Sequence, residues 1–253
     1  MKVSLEGGAA RAMKALPAKA TMPDLARFDW TAIAQSLDTH GHAVLHRLLD
    51  PQPCEALASL YGRDERYRTT IVMARHGFGR GEYRYFAYPL PSLVDRLRHT
   101  LYPRLAPIAN DWNRKLGIGE SYPPELDTFL QQCHLAGQTR PTPLILEYGK
   151  GDYNCLHQDL YGDRVFPLQV AILLSTPGQD FEGGEFVMTE NSPGFRRADV
   201  VALNQGDAVI FTVNQRPAAN ARGGTRRVTM RHGVSVVRRG RRHTLGVIFH
   251  DSR

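Results

Sequence analysis

The stretch LHQDLYG, residues 156–162, sets His157 and Asp159 two positions apart. On a strand, successive side chains turn to opposite faces, so these two would share one face. Two readings are open: a hydrogen-bonded polar pair, or two parts of a metal site. The HxD pattern is common by chance, and the surrounding sequence has to decide.

Downstream of Arg140-Pro141 the chain is a series of short apolar runs: PLILEY, PLQVAILLS, EFVMTE, DVVALN, DAVIFTV, VTMRHGV and HTLGVIFH. Turn signals such as Thr176-Pro177-Gly178, Glu182-Gly183-Gly184 and Gln205-Gly206-Asp207 separate them. Strands at this spacing form a sandwich or barrel. Upstream the patterns are helical. Trp30, Ile33, Ala34 and Leu37 follow the i, i+3, i+4, i+7 spacing. Asp50 before Pro51 resembles an N-cap with proline at the first helical position. Ser92 with Asp95 marks another start. Leu105, Ile108, Ala109, Trp112 and Leu116 form a further amphipathic stretch, and residues 125–135 one more helix. The expected class is α+β, mainly β, with an N-terminal helical layer packed on one sheet. We expect a basic arm over 1–22, a helical support region over 23–140 with a basic aromatic hairpin near 67–91, and a catalytic core over 141–253 integrated with that support.

The chain has 253 residues, a net charge of +7 and three cysteines. That length suits one large domain. No apolar run reaches the roughly 18 to 20 residues of a membrane helix, so no membrane partner is expected. The N-terminus lacks the apolar core of a secretory signal. Cys54, Cys133 and Cys155 are odd in number and widely spaced, which points to free thiols in a reducing, cytoplasmic setting. Between Phe211 and Phe249 there are nine arginines and no acidic residue. Such a surface suits polyanions, including nucleic acid, or is simply a solvated basic face. The oligomeric state is not legible.

A third ligand for an HxD pair must come from elsewhere in the fold, and His232 in RHGVS is the strongest candidate. Two histidines and a carboxylate form a facial triad that leaves coordination positions open and suits non-haem Fe(II). Arg242 follows His232 by ten positions. A buried arginine on a strand face needs an anion, and a guanidinium grips a carboxylate through two parallel hydrogen bonds. Thr244 shares that face and can donate another. Pairing with a core Asp or Glu is the other reading of Arg242.

The ordered set Tyr148, LHQD (156–159), FEGGEF (181–186), QGDAVIF (205–211), RHGVS (231–235) and GRRHTLGVIFHD (240–251) resembles the 2-oxoglutarate- and Fe(II)-dependent dioxygenases. FEGGEF and the C-terminal block are similar to the prolyl-hydroxylase-like branch. LHQD with Tyr148 upstream is similar to the AlkB-type nucleic-acid dealkylases. The whole chain resembles a bacterial family of such oxygenases, some of them linked to DNA alkylation repair. The resemblance implies a double-stranded β-helix, or jelly roll. It implies His157, Asp159 and His232 as iron ligands, and Arg242 on the distal carboxylate of 2-oxoglutarate with help from Tyr148 and Thr244. It also implies O2 as co-reactant, with succinate and CO2 released. AlkB-type enzymes carry a second arginine six residues after the cosubstrate arginine, and here that position is Ile248.

For the substrate, ARHGFGRGEYRYFAYPLP (74–91) interleaves arginines with aromatics. Bases stack on aromatics while arginines hold phosphates, so Arg80, Tyr83 and Tyr85 are candidates; the same residues would also serve as packing on a barrel rim. QRPAANARGGTRR (215–227), with Arg216, reads as a basic loop near the mouth. Tyr161 and Arg164 follow the ligand pair and are candidates to line the substrate side. His250-Asp251 reads as a terminal cap. Three functions are in play: a dealkylase of nucleic acid, a prolyl-type protein hydroxylase, and a non-catalytic binding module.

Overall fold

Asp29 opens the first helix. Its carboxylate accepts from the Thr31 and Ala32 N–H groups at 3.0 Å each, the usual N-cap bonds. The structure, a computed structural model, describes residues 23–159, 162–192, 195–220 and 223–253. The expected basic arm at 1–22 lies outside these residues.

Helix α1 (Trp30–His40) leads into β1 (His42–Leu45), and α2 (Pro51–Ala58) starts at the expected Asp50-Pro51 step. Next come β2 (Tyr67–Val72), β3 (Gly79–Arg80) and β4 (Glu82–Phe86), then α3 (Ser92–Leu116) and α4 (Leu126–Leu135). The remainder is strand: β5 (Leu144–Tyr148), β6 (Tyr153–His157), β7 (Leu168–Leu173), β8 (Phe181–Gly183), β9 (Phe186–Ser192), β10 (Phe195–Val201), β11 (Ala208–Thr212), β12 (Gln215–Ala219), β13 (Thr225–Val234), β14 (Val237–Gly240) and β15 (Arg242–Val247). A seven-stranded sheet runs β1-β11-β7-β15-β5-β4-β2. The second sheet runs β10-β9-β13-β6-β3, with β12 added on β13. Every ladder between these named strands is antiparallel. This is the jelly roll with helices on one sheet.

The seven-stranded sheet has two working faces because side chains alternate. Ile145, Val170, Ile172, Leu245 and Val247 join the helices in one buried core with Leu97, Leu101, Leu105 and Trp112. The alternate positions Leu144, Leu146, Tyr148, Thr244 and Gly246 face a cavity between the sheets.

Three expectations need correction. The region before residue 140, expected as helices with one hairpin, holds more strand than that: beside the β2–β4 hairpin, β1 joins the large sheet and β3 the small one. The two amphipathic stretches after Ser92 are a single helix, with Pro103 and Pro107 inside it. Each interior proline costs about 3 kcal/mol, and the buried leucines of the inner face, worth about 2 kcal/mol each, outweigh that. The expected basic loop of residues 215–227 contains paired strand: β12 (Gln215–Ala219) pairs along the start of β13, with Arg216 opposite Val228.

Helix α3 also clamps the C-terminal segment. Arg98, 1% exposed, donates from Nε to the Ile248 carbonyl at 2.8 Å and from a terminal nitrogen to the Phe249 carbonyl at 3.0 Å. It also donates to Asp251 Oδ1 at 2.7 Å. Tyr88 and His134 reach the other Asp251 oxygen at 2.9 Å each. The pair is buried but fully hydrogen-bonded, which makes removal of one member costly. Asp251→Ala is expected to lower unfolding free energy by about 3–5 kcal/mol in urea melts, since it leaves the Arg98 guanidinium buried and unpaired.

Between these anchors His250 is 2% exposed, and the Phe166 N–H donates to its Nδ1 at 3.2 Å. Burial, reinforced by the Arg98 charge, pushes its imidazole down to about 4, against opposing pulls from Asp159 and Asp251. The unfolded imidazole titrates near 6.5 and so takes up its proton first. The stability contributed by neutral His250 is therefore complete above that pH and is lost as pH falls toward 4, by about 3 kcal/mol. Urea midpoints of metal-free protein at pH 7 and 4.5 should show this loss, and His250→Gln should reduce it.

Candidate metal centre and its cavity

Strands β6 and β13 run side by side with His157 opposite His232, and the two imidazole centroids are 4.2 Å apart. Asp159 lies just past the end of β6, and its N–H donates to the Val213 carbonyl at 3.3 Å. Its carboxylate spans the two rings: Oδ1 is 3.4 Å from His157 Nε2 and Oδ2 is 3.5 Å from His232 Nε2. The His157 Nδ1–H donates to the Cys155 carbonyl at 2.8 Å, which frees Nε2 as a lone-pair ligand. His232 packs against Phe211 at 4.5 Å between centroids, and its Nδ1 is buried with no partner among the described residues. One ligand atom from each residue lies within 4.8 Å of the others.

Burial alone would raise the Asp159 carboxyl, but the two imidazoles overcome it and hold the group well below the usual carboxylate range. Burial lowers His157, yet the hydrogen bond and charge of Asp159 outweigh it and the net shift is upward. For His232 burial wins and the shift is downward. An ionised carboxylate with two imidazoles on one side is the donor set of a facial triad, and it fits an octahedral Fe(II) with open positions.

Across the cavity stands Arg242, 2% exposed on β15. It donates to Thr244 Oγ1 at 2.5 Å, and its Nε has no partner. No carboxylate lies within ion-pair distance of it among the described residues. Glu185, whose charge it feels, is taken up by Ser235 and Arg238. Burial pushes the guanidinium down to about 10. The Tyr148 hydroxyl beside it is also fully buried and lies near Asn154 without making a hydrogen bond. Gly184, in the left-handed region at φ 64, leaves room for this arrangement: a Cβ there would meet Arg242 Cδ and Val237 at 2.9 Å. Gly81 does the same for the Tyr148 ring, which a Cβ would approach to 2.6 Å.

Triad and arginine open on one cavity of about 760 Å³. It also takes in Tyr83 and Tyr85 from the β2–β4 hairpin, and Arg68 and Arg140 at its outer end. Other expected substrate residues lie elsewhere. Arg80 is paired with Asp152 at 3.3 Å, Arg164 with Glu120 at 2.9 Å, and buried Arg216 with Glu190 at 2.8 Å. None of these three lines the cavity. Their guanidiniums are committed to neighbouring carboxylates, which a sequence does not reveal. Tyr161 lies outside the described residues. Cavity residues that the sequence does not mark as functional include Arg68, Arg140, Gln169 and His250. The signal for Gln169 was an amide inside the apolar run PLQVAILL; His250 was read as a cap. Cys54 and Cys133 are buried free thiols and Cys155 is an exposed one. No helix among the described residues is long and apolar enough to cross a membrane.

Residues 81–252 match the family Oxygenase-NA, described as "Oxygenase, catalysing oxidative methylation of damaged DNA". Two uncharacterized proteins of Mycobacterium tuberculosis, Rv2227 of strain H37Rv and MT2286 of strain CDC 1551, are each 48% identical over 168 residues, which is 66% of this chain and 72% of each relative. Among solved structures, a Pseudomonas putida prolyl-4-hydroxylase aligns over 89% of this chain and all of its own, with TM-score 0.51 and 17% identity. A Burkholderia pseudomallei oxidoreductase of the 2OG-Fe(II) oxygenase family aligns over 87% of this chain and 89% of its own, with TM-score 0.50 and 17% identity. At that identity the likeness is one of fold.

Anaerobic calorimetric titration with Fe(II) tests the triad. Asp159→Ala should weaken metal binding by more than about 100-fold, beyond the loss seen for an outer-shell partner. Arg242→Met should leave metal affinity near that of the parent protein.

Proposed function

The chain belongs to the Oxygenase-NA family and has the fold of the 2-oxoglutarate- and Fe(II)-dependent oxygenases, and we propose that it uses both cofactors to dealkylate damaged nucleic acid oxidatively. The observation that carries this reading is Arg242: a buried guanidinium with no counter-ion among the described residues, sharing a cavity with a three-ligand cluster. A buried charge of this kind needs an anion, and a dicarboxylate that also chelates the metal answers that need. When bound, Fe(II), O2 and 2-oxoglutarate supply hydroxylation of a C–H bond, with succinate and CO2 as the other products.

The chain's own residues divide the remaining tasks. Arg242 binds the distal carboxylate, and Thr244 and Tyr148 offer hydroxyls beside it. His157 and His232 would hold the metal through imidazole nitrogens and Asp159 through its carboxylate. Met73, Leu173, Phe181 and Val237 pack around the cosubstrate end and exclude water. At the outer end Tyr83 and Tyr85 offer flat surfaces for a base, and Arg68 and Arg140 offer positive charge for a phosphate backbone.

The family's description supports DNA as the target. It speaks of oxidative methylation, but hydroxylating an N-methyl carbon gives a hydroxymethyl group that leaves as formaldehyde, so the chemistry runs toward demethylation. The expected result is formaldehyde release, dependent on 2-oxoglutarate, from N-methylated oligonucleotides. A single-oxygen mass gain on a protein target with no formaldehyde from any methylated oligonucleotide would replace this reading with protein hydroxylation.

A further inference from the structure

Gln169 sits at the start of β7, in the middle of the seven-stranded sheet, and is 5% exposed. Its neighbours on the strand are apolar, and its side-chain amide has no hydrogen-bond partner among the described residues. An amide sealed unpaired in the interior would cost about 1–3 kcal/mol, whereas this one keeps accessible surface on the cavity and stays open to a ligand. The packing around it gives the amide no partner, so packing alone does not call for a glutamine there. What the amide does face is the cavity.

His250 faces the same space. The bond from Phe166 N–H fixes its tautomer: Nδ1 accepts, so the ring proton is on Nε2. Nε2–H is then a donor with no partner among the described residues. Gln169 is on β7, and His250 lies three residues past the end of the neighbouring β15. Val247 lies opposite Val170, so one further step along the antiparallel pair brings Ile248 beside Gln169. The Phe166–His250 bond keeps the chains together past the end of the ladder. His250 cannot drift, because Arg98 holds the carbonyls of the two residues before it, and Gln138 and Thr142 hold the carbonyls of Asp251 and His250.

We propose that Gln169 and His250 form a site that reads the edge of a nucleobase, beyond the metal from Arg242. This inference rests on the nucleic-acid reading above and sharpens it to two named contacts. A base edge presents adjacent donors and acceptors in one plane. An amide supplies one of each, and the imidazole supplies a second donor at a fixed position. Phe211, Tyr83 and Tyr85 give the space flat walls suited to a ring. The mouth has the matching charge. Arg68 lies over the Tyr85 ring at 4.5 Å, donates to the Pro141 carbonyl and to Ser252 Oγ, and has no carboxylate partner among the described residues. A rigid cation at that position suits the phosphate next to a base held inside.

The test uses the full-length protein loaded with Mn(II) and 2-oxoglutarate, with N-methylated deoxynucleoside monophosphates as binding probes, alongside formaldehyde release by the iron form. Parent protein should bind the probes. Gln169→Leu should weaken that binding, and lower kcat/KM on a methylated oligonucleotide chiefly through KM, by about tenfold or more. Its preference among methylated bases should narrow. His250→Phe should do likewise, and retention of the 2-oxoglutarate charge-transfer band in the iron form would show either variant intact. If parent protein releases formaldehyde while Gln169→Leu keeps its probe affinity, kcat/KM and base preference, the base-reading site is wrong and the dealkylase function stands. If no oligonucleotide is demethylated and no nucleotide probe binds, both fall. If the probes do not bind and Gln169→Leu instead weakens binding of a peptide substrate, the site reads a peptide edge and the nucleobase assignment is overturned.

Discussion

One cross-strand pair governs the site: His157 opposite His232 on β6 and β13. The two imidazoles pack at 4.2 Å between centroids with both Nε2 atoms turned to one carboxylate. Asp159 supplies the anion from just beyond the strand end, where the chain is no longer bound to alternate faces. The residue that completes the triad is therefore the one free of the ladder, while the ladder sets the two histidines. A one-residue slip of β13 against β6 would turn His232 to the opposite face and leave the pair unmade. Pairing on both sides of β13, with β9 and with β6, resists such a slip.

Arg242 poses the complementary problem. A charge buried without a counter-ion lowers the stability of the ligand-free protein, and the packing around it has to carry that cost. Binding of a dicarboxylate removes the penalty and so stabilises the fold by mass action. The same logic distinguishes the arginines of the chain. Arg80, Arg164 and Arg216 each have a carboxylate, the first two at the surface and Arg216 buried, whereas Arg242 has none among the described residues.

The parts legible in the sequence are those encoded by short-range spacing. The apolar runs mark most of the strands after residue 140, and Thr244 follows Arg242 by strand alternation; His157 and Asp159 do come together with His232, but Asp159 does so from beyond the end of β6 rather than by strand period. Long-range partners were not legible. Strand β1 is four residues long and too short to show a period, and its mate β11 lies far down the chain. Nothing local marks Arg216 as a buried partner of Glu190, because both the charge and the carboxylate look solvated in isolation. The continuity of α3 through two prolines depends on tertiary burial, which outweighs local propensity. His250 looked like a chain-end residue because its surroundings come from α3, α4 and the segment before β7.

The two ends of the β15 segment complete the argument. At its start Arg242 is buried and unpaired; beyond its end Arg98 and Asp251 are buried and fully paired. A charge left without a partner is a place where a ligand changes the energy of the protein. A charge satisfied on every side is a place where geometry is fixed before any ligand arrives. On the proposed reading the strand would join an end that responds to a bound dicarboxylate to a rigid end that positions Ile248 and His250. Rigidity at the outer end is what selective recognition requires, since a donor free to move would satisfy the wrong partner as readily as the right one. The helical layer, which supplies Arg98 and His134, serves the chemistry by holding that end still from the opposite face of the sheet.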